Sequence, residues 1–548
     1  MTRLFDFWNL ILLGVVSLIA IFLLWPLSQV LHLSFLDADT GEWTLKHYLK
    51  ILSHRYYLKA VTNTLLVGVL GMLGACLLGI PLAYFMSRYR VRWRPFISTL
   101  AILALVSPPF IGAYAWIMLL GANGSITNFL RSLGLDPPLI YGLPGIVLVF
   151  SFKYYPFVFI MTEGALSSIN RSYEEAAENL GYQTWERFLK ITLPLAFPAV
   201  STSAILCFVL SIADFGTPSI IGKNFRTLST IAYNQYTTEM GGTPSLAVTI
   251  SIILTIISIL VVTAQRNFMK KRRYVSGIAR KIEQQQPVGI KGLLIQGFCY
   301  LVVLISMLPN LIVIHTSFLA TKGPVFSGGY AMGSYERVWR EIDSSVANSF
   351  LFATLAVVLI VGVSGFISYV IVRKSNVWSG TLDSLLMVPY IVPGVVMAIG
   401  FVVTFNAWPL DLVGTALIIV LIVFIRRLPY GVRSTSATLR TIKPSVEEAA
   451  ISLGVPPSKV FLKITLPLML PGLIAGGMMS FITAINELSS TLILYTSSTM
   501  TMPVRVYLSV LDGEFGIAAA LSTILLVSTA ACVFTVMKVS RSDGTSFL

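Results

Sequence analysis

Residues 174–195 read EEAAENLGYQTWERFLKITLPL, and residues 447–468 read EEAAISLGVPPSKVFLKITLPL. The two stretches share EEAA, the pair LG and the whole of FLKITLPL at a constant separation of 273 positions, close to half the chain. A constant separation over such a length indicates an internal duplication. The sequence therefore predicts two halves of the same fold.

The correspondence extends upstream of the quoted stretches at slightly different separations. It pairs Tyr84 with Tyr369, Arg88 with Arg373 and Pro108 with Pro393 at 285 positions, and Pro26 with Pro309, Ser34 with Ser317 and Phe35 with Phe318 at 283. A longer outer loop in the first half, GANGSITNFLRSLGLDPPLIYG at 121–142, accounts for the difference of 12 positions between 285 and 273. The duplication thus covers most of both halves.

The composition places both halves in a membrane. Of the 548 residues, 55% are hydrophobic and only 11% are charged, and the mean hydropathy is +0.81. A soluble globular protein carries about 25% charged residues. Apolar runs such as 10–31, 143–161 and 246–263 approach the roughly 20 residues with which a helix crosses a bilayer. At least ten such runs occur, which excludes an unusually apolar soluble core.

We therefore predict an all-α polytopic membrane protein with about 12 transmembrane helices in two parallel-repeat halves of six. The first half is predicted at 1–264, a cytoplasmic linker at 265–291 and the second half at 292–548. The predicted spans are 10–31, 62–86, 97–120, 142–163, 197–220 and 245–264, and then 292–316, 347–372, 383–405, 412–432, 470–494 and 516–537.

The net charge of +15 is concentrated in short segments beside the apolar runs. The basic clusters lie at 88–94, 266–291 and 426–463, and the positive-inside rule assigns such clusters to the cytoplasm. Both termini are then cytoplasmic, and we expect membrane lipid rather than nucleic acid around the chain. The first apolar run is too long for a cleaved signal peptide and no A-x-A site follows it, which predicts a retained span.

The sequence contains no pattern typical of catalysis, of metal binding or of ATP binding. Cys76, Cys207, Cys299 and Cys532 lie in apolar runs without metal-ligand spacing, and the four histidines are scattered. A phosphate-binding glycine motif is absent, so we do not expect the chain to bind ATP itself. We expect no catalytic residue, no cofactor and no metal site.

Each quoted stretch lies in a cytoplasmic segment between the fourth and fifth predicted spans of its half. In the first half Ser172 is predicted to cap a helix, with two glutamates in its first turn that the helix dipole favours. Gly181 is predicted to end this helix in a left-handed conformation. A second helix is expected from about Thr184, and Pro194 is expected to stop it. The second half repeats the pattern with Ser445, Gly454 and Pro467.

These segments, 172–194 and 445–467, resemble the EAA loops of binding-protein-dependent ABC importer permeases. The family pattern E-A-A-x3-G-x9-I-x-L-P fits both without a gap. In that family the loop docks on a cytoplasmic ATPase. The resemblance therefore implies a set of ATPase-docking residues, namely Glu174, Glu175, Ala176, Ala177 and Gly181 with Glu447, Glu448, Ala449, Ala450 and Gly454.

The resemblance covers the whole chain and implies its setting. A multi-pass protein of the bacterial cytoplasmic (inner) membrane is expected, with a periplasmic or lipid-anchored substrate-binding protein as one partner. Two docking loops in one chain imply that one copy meets a cytoplasmic ABC ATPase dimer. ATP hydrolysis would then belong to that separate subunit, and the chain would be a transport subunit rather than an enzyme.

Two pairs of charged residues at matching repeat positions are candidates for the substrate pathway. Asp214 corresponds to Glu487 in the fifth spans, and Lys153 corresponds to Arg426 in the fourth spans. Ionisable groups within a membrane are costly to bury and often functional. The alternative is that they form buried ion pairs that orient the spans. Both interpretations are open from the sequence.

The substrate is suggested by a narrower resemblance. ADFGTPSIIG at 213–222 and NELSSTLIL at 486–494 resemble permeases for iron(III), and also those for thiamine, polyamines and 2-aminoethylphosphonate. Carboxylates suit a hard cation such as iron(III), whereas the neighbouring cations would suit an anion or an anionic iron complex. A secondary transporter is the competing class, and its spans would be broken at the membrane midplane. No catalytic motif in the sequence supports the third class, a membrane enzyme.

Overall fold

The computed structural model describes residues 7–37, 40–137, 140–170, 172–238, 243–270, 284–286, 288–322, 325–374 and 377–542. These residues are almost entirely α-helical. The helices of the first half are α1 Phe7–Ile19, α2 Trp25–Ser34, α3 Lys46–Ser53, α4 Arg55–Arg88, α5 Arg94–Val106, α6 Pro109–Leu120, α7 Ser125–Ser132, α8 Leu143–Ser168, α9 Ser172–Asn179, α10 Thr184–Arg187, α11 Leu193–Ala213, α12 Gly216–Ile221, α13 Leu228–Thr237 and α14 Pro244–Lys270. A π-helical turn, Ala20–Leu24, joins α1 to α2.

The second half repeats this order and adds one small hairpin. Its helices are α15 Gly289–Ser317, α16 Gly333–Glu341, α17 Asp343–Arg373, α18 Val377–Leu385, α19 Val388–Ile391, α20 Gly394–Thr404, α21 Ala416–Thr441, α22 Pro444–Ser452, α23 Pro457–Val460, α24 Leu466–Ile485, α25 Thr491–Leu494, α26 Met502–Leu511 and α27 Phe515–Ser542. Between α15 and α16, β1 (Leu319–Lys322) pairs antiparallel with β2 (Val325–Tyr330). This hairpin is absent from the sequence prediction.

Ten helical segments in the described part of the chain are long and apolar enough to cross a membrane. Another crossing is available from the bent pair Ser379–Ile391 and Gly394–Thr404, whose axes meet at 105°. Helix α21 occupies the place of the predicted tenth span and is largely buried, although it carries Arg426 and Arg427 among its apolar residues. The predicted all-α polytopic fold is confirmed.

The third span of each half is interrupted at the same repeat position. Helix α5 stops before Pro108 and α6 follows it, and α19 stops before Pro393 and α20 follows it. A proline pushes the preceding residue into an extended conformation and cannot donate a helical hydrogen bond. The expectation of continuous third spans at 97–120 and 383–405 is therefore wrong.

The chain forms two compact units that differ from the two sequence halves. Of the residues that the structure describes, the first-half unit contains those within Ser53–Ile231 and Ile256–Thr316, and the second-half unit contains those within Met1–Leu52, Ala232–Thr255 and Ser317–Phe547. Each unit thus contains most of one half together with the first span of the other half. The linker predicted at 265–291 remains a prediction of where one sequence repeat ends and the next begins. It does not describe the boundary between the two compact units.

Packing within each unit shows how the exchanged first spans are held. In the first-half unit the hydroxyl of Tyr155 on α8 lies 3.0 Å from that of Ser306 on α15. In the second-half unit the ring of Trp8 on α1 stacks on Tyr369 of α17 at 4.2 Å between centroids. Gly400 on α20 lets α2 approach closely, because an added Cβ would lie 3.1 Å from the carbonyl oxygen of Pro26.

Candidate functional site

The two EAA loops, 172–194 and 445–467, begin with the same helix and turn. Helices α9 and α22 are followed by Gly181 and Gly454 with φ of +86° and +84°. In both loops the N–H one residue past the glycine donates to the carbonyl five residues earlier, at 3.0 and 3.1 Å. This hydrogen bond defines a Schellman turn, which favours glycine because a side chain opposes positive φ. The predicted left-handed glycines are confirmed.

The starts of these helices differ from the prediction. Helix α22 begins at Pro444, so Ser445 is already a helical residue and its predicted role as the cap is wrong. Proline is well suited to the first helical position because that position needs no N–H donor. In the first half α9 begins at Ser172, and the side chain of Asn170 accepts a hydrogen bond from the Ser172 N–H at 3.1 Å.

The second helix of each EAA loop continues directly into the fifth span. The identical segments Phe188–Thr192 and Phe461–Thr465 form π-helical turns that join α10 to α11 and α23 to α24. Pro194 and Pro467 lie in the first turn of the helices that follow, where a proline is tolerated. The expectation that these prolines stop the helix is wrong. A proline has no N–H to donate, but in the first turn after a π-helical segment this donor is not required, so the helix continues.

One face of the first EAA loop is fastened to the core by a buried arginine. Nη2 of Arg88, at the end of α4, lies 2.6 Å from Oε1 of Glu174, and the hydroxyl of Thr192 donates to the same oxygen at 2.9 Å. Nη1 of Arg88 donates to the carbonyl of Leu166 near the end of α8 at 3.2 Å. One guanidinium therefore ties the second span, the fourth span and the EAA helix together.

The second EAA loop has the same fastening at the corresponding positions. Nε of Arg373 lies 3.0 Å from Oε1 of Glu447, and Nη2 of Arg373 donates to the carbonyl of Ile442 at 2.7 Å. The hydroxyl of Tyr369 donates to Oε2 of Glu447 at 3.0 Å. The sequence contains a signal for this contact, since Arg88 and Arg373 are repeat partners, but from the sequence alone we predict only a docking role for the two glutamates.

The opposite face of each EAA helix is open. Glu175 and Glu448 are exposed, and Leu180 and Leu453, directly before the glycines, are 78% and 85% exposed. The other predicted docking residues divide between the faces: Ala176 and Ala449 are exposed, whereas Ala177 and Ala450 are buried. The two leucines were missed by sequence reasoning, although an apolar residue recurs at that position in both halves.

The paired carboxylates lie just beyond the fifth spans rather than inside them. Helices α11 and α24 end at Ala213 and Ile485, earlier than predicted. Asp214 accepts a hydrogen bond from the N–H three residues ahead at 2.7 Å, and Glu487 accepts the equivalent bond at 3.1 Å. Each carboxylate therefore fixes the turn that leads into a short helix, α12 or α25.

In the second half Glu487 is the centre of a buried ion cluster. Its Oε1 contacts Nη1 of Arg426, its Oε2 contacts Nη2 of Arg427, and the hydroxyl of Ser490 donates to Oε1 at 2.8 Å. Glu487 is 4% exposed. Both of its oxygens are thus occupied. An ion pair between a candidate cation and a candidate carboxylate, one of the two interpretations left open by the sequence, forms here between Arg426 and Glu487.

The first half arranges its cation differently. The ammonium of Lys153 donates to the carbonyl oxygens of Ala104, at 3.1 Å, and of Leu105 and Ser107. These carbonyls terminate α5 at the interruption of the third span, where they have no helical partner. Lys153 therefore caps the end of α5. Its repeat partner, Arg426, instead forms an ion pair with Glu487, so the two corresponding cations have different local roles.

The described residues contain no group of three or more histidine, cysteine, aspartate or glutamate side chains placed to hold a metal ion. The clusters around Asp214 and Glu487 instead combine one carboxylate with hydrogen-bond donors or cations. Each carboxylate stabilises a turn, and at Glu487 the two guanidinium groups already in contact disfavour binding of a further cation.

Comparison with known proteins identifies relatives of the chain. Residues 75–274 and 363–540 each match the family described as "Binding-protein-dependent transport system inner membrane component". The chain is 30% identical over 529 residues to the "Ferric transport system permease protein FbpB" of Actinobacillus pleuropneumoniae, covering 94% of this chain and 76% of that protein. It is 29% identical over 501 residues to the "Putative ferric transport system permease protein FbpB 1" of Haemophilus influenzae, covering 89% and 78%.

A solved structure also resembles part of the chain. It is a crystal structure of a bacterial alginate ABC transporter in complex with an alginate pentasaccharide-bound periplasmic protein. The match has a TM-score of 0.40 and 20% sequence identity, and covers 47% of this chain and 92% of that chain.

Proposed function

This chain belongs to the family of binding-protein-dependent transport system inner membrane components, and from that premise we propose that it is the iron(III) permease of an ATP-driven importer. It is a multi-pass membrane transport subunit in which the family domain occurs twice. Broken spans are expected of a secondary transporter, but this member of the family also has interrupted third spans. The interruption therefore does not distinguish the two classes.

The proposal is carried by the likeness of the two EAA loops. Both have a left-handed glycine, an arginine–glutamate pair on the inner face and a leucine exposed directly before the glycine. A short helix that is fastened on one side and exposes an apolar tip on the other is suited to a groove on a soluble partner. We propose that the loops dock on the two subunits of one cytoplasmic ABC ATPase dimer.

Within each loop the docking face is the open one. We assign it to Glu175, Ala176 and Leu180 in the first loop and to Glu448, Ala449 and Leu453 in the second. Glu174 and Glu447 lie on the opposite face of the loop helices and do not contact the ATPase. Their ion pairs transmit movement of the loop to the second and fourth spans. The glycines set the direction in which each leucine projects.

We further propose that Asp214, Glu487, Lys153 and Arg426 position the interrupted and short helices instead of coordinating iron. An iron(III) ion approaching Glu487 would have to displace two guanidinium groups. Asp214 is engaged by a backbone donor, and Lys153 is engaged by three carbonyls. The choice of iron rests on the two ferric permease relatives, which match most of the chain.

The substrate is tested by measuring which loaded binding protein stimulates ATP hydrolysis by the chain reconstituted with its ATPase. Binding proteins loaded with iron(III), thiamine, a polyamine or 2-aminoethylphosphonate are compared at equal concentration, each beside its unloaded form. We expect stimulation by the iron-loaded protein alone. Stimulation by one of the other three would replace iron as the substrate, and stimulation by none would overturn the importer assignment.

The orientation is tested by thiol labelling in intact cells. Backbone hydrogen bonds join Gln285 of the linker to Arg88 and Arg90, beside the first EAA loop, at 3.0 and 2.9 Å. In a chain without its native cysteines, Gln285→Cys should resist an impermeant reagent. Asn224→Cys, in the exposed loop after α12, should react. The reverse pattern would place the EAA loops outside the cell and overturn the proposed docking.

A further inference from the structure

We propose that four exposed cations at the outer end of the first-half unit form a docking surface for an acidic face of the substrate-binding protein. The basic outer face consists of Arg55, Lys59, Lys223 and Arg226. The inference rests on the proposed function for the identity of the partner, and it adds the surface that receives that partner.

The length of α4 places these cations on the side opposite the EAA loop. Helix α4 has 34 residues and is therefore about 50 Å long, more than the hydrocarbon thickness of a bilayer. Its last residue, Arg88, holds the EAA loop, and its first residue is Arg55. If the EAA loop is cytoplasmic, Arg55 and Lys59 lie at the outer surface.

The loop between α12 and α13 is held against the same end of α4. Nδ2 of Asn63 donates to the carbonyl of Arg226 at 2.9 Å, and the hydroxyl of Thr64 accepts from the N–H of Leu228 at 2.8 Å. Nη1 of Arg226 donates to the hydroxyl of Tyr56 at 2.7 Å. The cations of the loop and those of α4 therefore belong to one surface.

Two of these cations are already held against aromatic rings in the absence of a partner. The ammonium of Lys223 lies 3.5 Å from the ring centroid of Tyr141, and the guanidinium carbon of Arg226 lies 5.5 Å from that of Tyr56. Cation–π contact leaves the charge exposed while restricting the side chain. Less conformational entropy is then lost when a partner binds.

The charge of this surface is unbalanced. Among the described residues, none of its four cations forms an ion pair, whereas the nearby Arg131 lies 3.5 Å from the carboxylate of Asp136. In the second half the equivalent loop, 495–501, contains no charged residue. Outer segments are normally poor in lysine and arginine, because such residues oppose translocation. Their concentration here therefore points to a role other than insertion.

An acidic protein surface is the partner that this arrangement fits. Tyrosine and arginine are enriched at protein interfaces, and complementary charge accelerates encounter and sets the docking orientation. The family depends on a binding protein that must deliver its load at the outer side of the permease. A small anionic iron complex and the phosphates of outer lipids share the same chemistry, and the experiment separates them.

The test uses Lys59→Glu combined with Lys223→Glu in the complete chain with its ATPase. The probe is the iron-loaded binding protein that stimulates hydrolysis of the unsubstituted complex. At about 50 mM salt we expect about a tenfold rise in the binding-protein concentration that gives half-maximal stimulation. At about 500 mM salt, where charges are screened, the difference should fall below about twofold. The maximal rate should not change.

Two controls accompany this variant. Lys59→Arg combined with Lys223→Arg keeps the charge and should behave like the unsubstituted chain. Arg340→Glu alters an exposed cation of the second-half unit, which lies 285 positions after Arg55, the separation that also relates Arg88 to Arg373. This variant should leave the half-maximal concentration within about twofold. An unchanged half-maximal concentration in the Lys59/Lys223 glutamate variant, or an equal rise in Arg340→Glu, would overturn the inference.

The remaining outcomes assign the surface to another ligand. Hydrolysis stimulated by ferric citrate without a binding protein, and lost in the glutamate variant, would assign it to a small anion. A defect seen only in liposomes containing anionic lipid, and not in phosphatidylcholine alone, would assign it to lipid. Either result overturns the inference while leaving iron transport intact. Absence of any stimulation in the unsubstituted complex instead defeats the proposed function.

Discussion

Glu487→Gln is expected to destabilise the chain by about 3–5 kcal/mol, because it leaves two buried guanidinium groups without a carboxylate. Arg426 and Arg427 both contact the Glu487 side chain, which is 3% exposed. Asp214→Asn is the matched control at the repeat position. Its amide oxygen still accepts the backbone hydrogen bond, and Lys153 keeps its carbonyl partners, so we expect a much smaller loss. Melting temperatures of the purified variants in detergent measure both effects.

A further variant distinguishes a positioning role from a role in the substrate pathway. Replacing Arg426, Arg427 and Glu487 together by leucine, leucine and methionine removes the charges as a group and should recover part of the lost stability. Normal melting of Glu487→Gln with strongly reduced iron uptake would contradict the positioning role and support direct contact with substrate. Normal melting with normal uptake would show that the ion cluster has neither a positioning role nor a role in the substrate pathway.

Gly181→Val combined with Gly454→Val is expected to lower iron uptake about tenfold or more while the chain still inserts in the membrane. Apart from the adjacent residues, no atom lies within 4 Å of a Cβ built at either glycine, so the effect arises from backbone strain. Positive φ costs an L-residue about 1–2 kcal/mol, and the EAA helix end relaxes by moving the leucine that precedes each glycine. ATP hydrolysis should lose its dependence on the loaded binding protein.

The control for this double variant is Gly134→Val. Gly134 also has positive φ, +76°, and apart from its adjacent residues no atom lies within 4 Å of an added Cβ, but it follows α7 in the loop at 121–142. Its substitution carries the same backbone strain at a site remote in sequence from the EAA loop, and uptake should stay near normal. Uptake and substrate-stimulated hydrolysis that are unchanged in the Gly181/Gly454 variant would refute the docking assignment.

The sequence predicted the features that depend on local chemistry or on duplication. Apolar runs predicted the spans, and the position of Gly181 after an EAA helix predicted its left-handed backbone. The recurrence of a cation and a carboxylate in both halves left buried ion pairs open as one interpretation, and Arg426 and Glu487 form such a pair. In these cases one or two residues determine the outcome without reference to distant packing.

The features that were missed depend on neighbours that are remote in the chain. The first apolar run, 10–31, packs with helices of the second half. Its own sequence does not indicate this, because an apolar span can pack against many different helices. The inward direction of Glu174 depends on Arg88, which lies 86 positions away. Pro194 was expected to end a helix, since a π turn that absorbs a proline has no simple sequence signature.

We propose that this chain carries iron(III) inward only when an ATPase and a binding protein act on it together. The most direct measurement is uptake of radioactive iron into liposomes that hold the chain with its ATPase, with ATP enclosed and the iron-loaded binding protein outside. We predict uptake only when the chain, ATPase, ATP and loaded protein are all present. Uptake of free iron by the chain alone, without ATPase or ATP, would contradict the account and identify a secondary transporter.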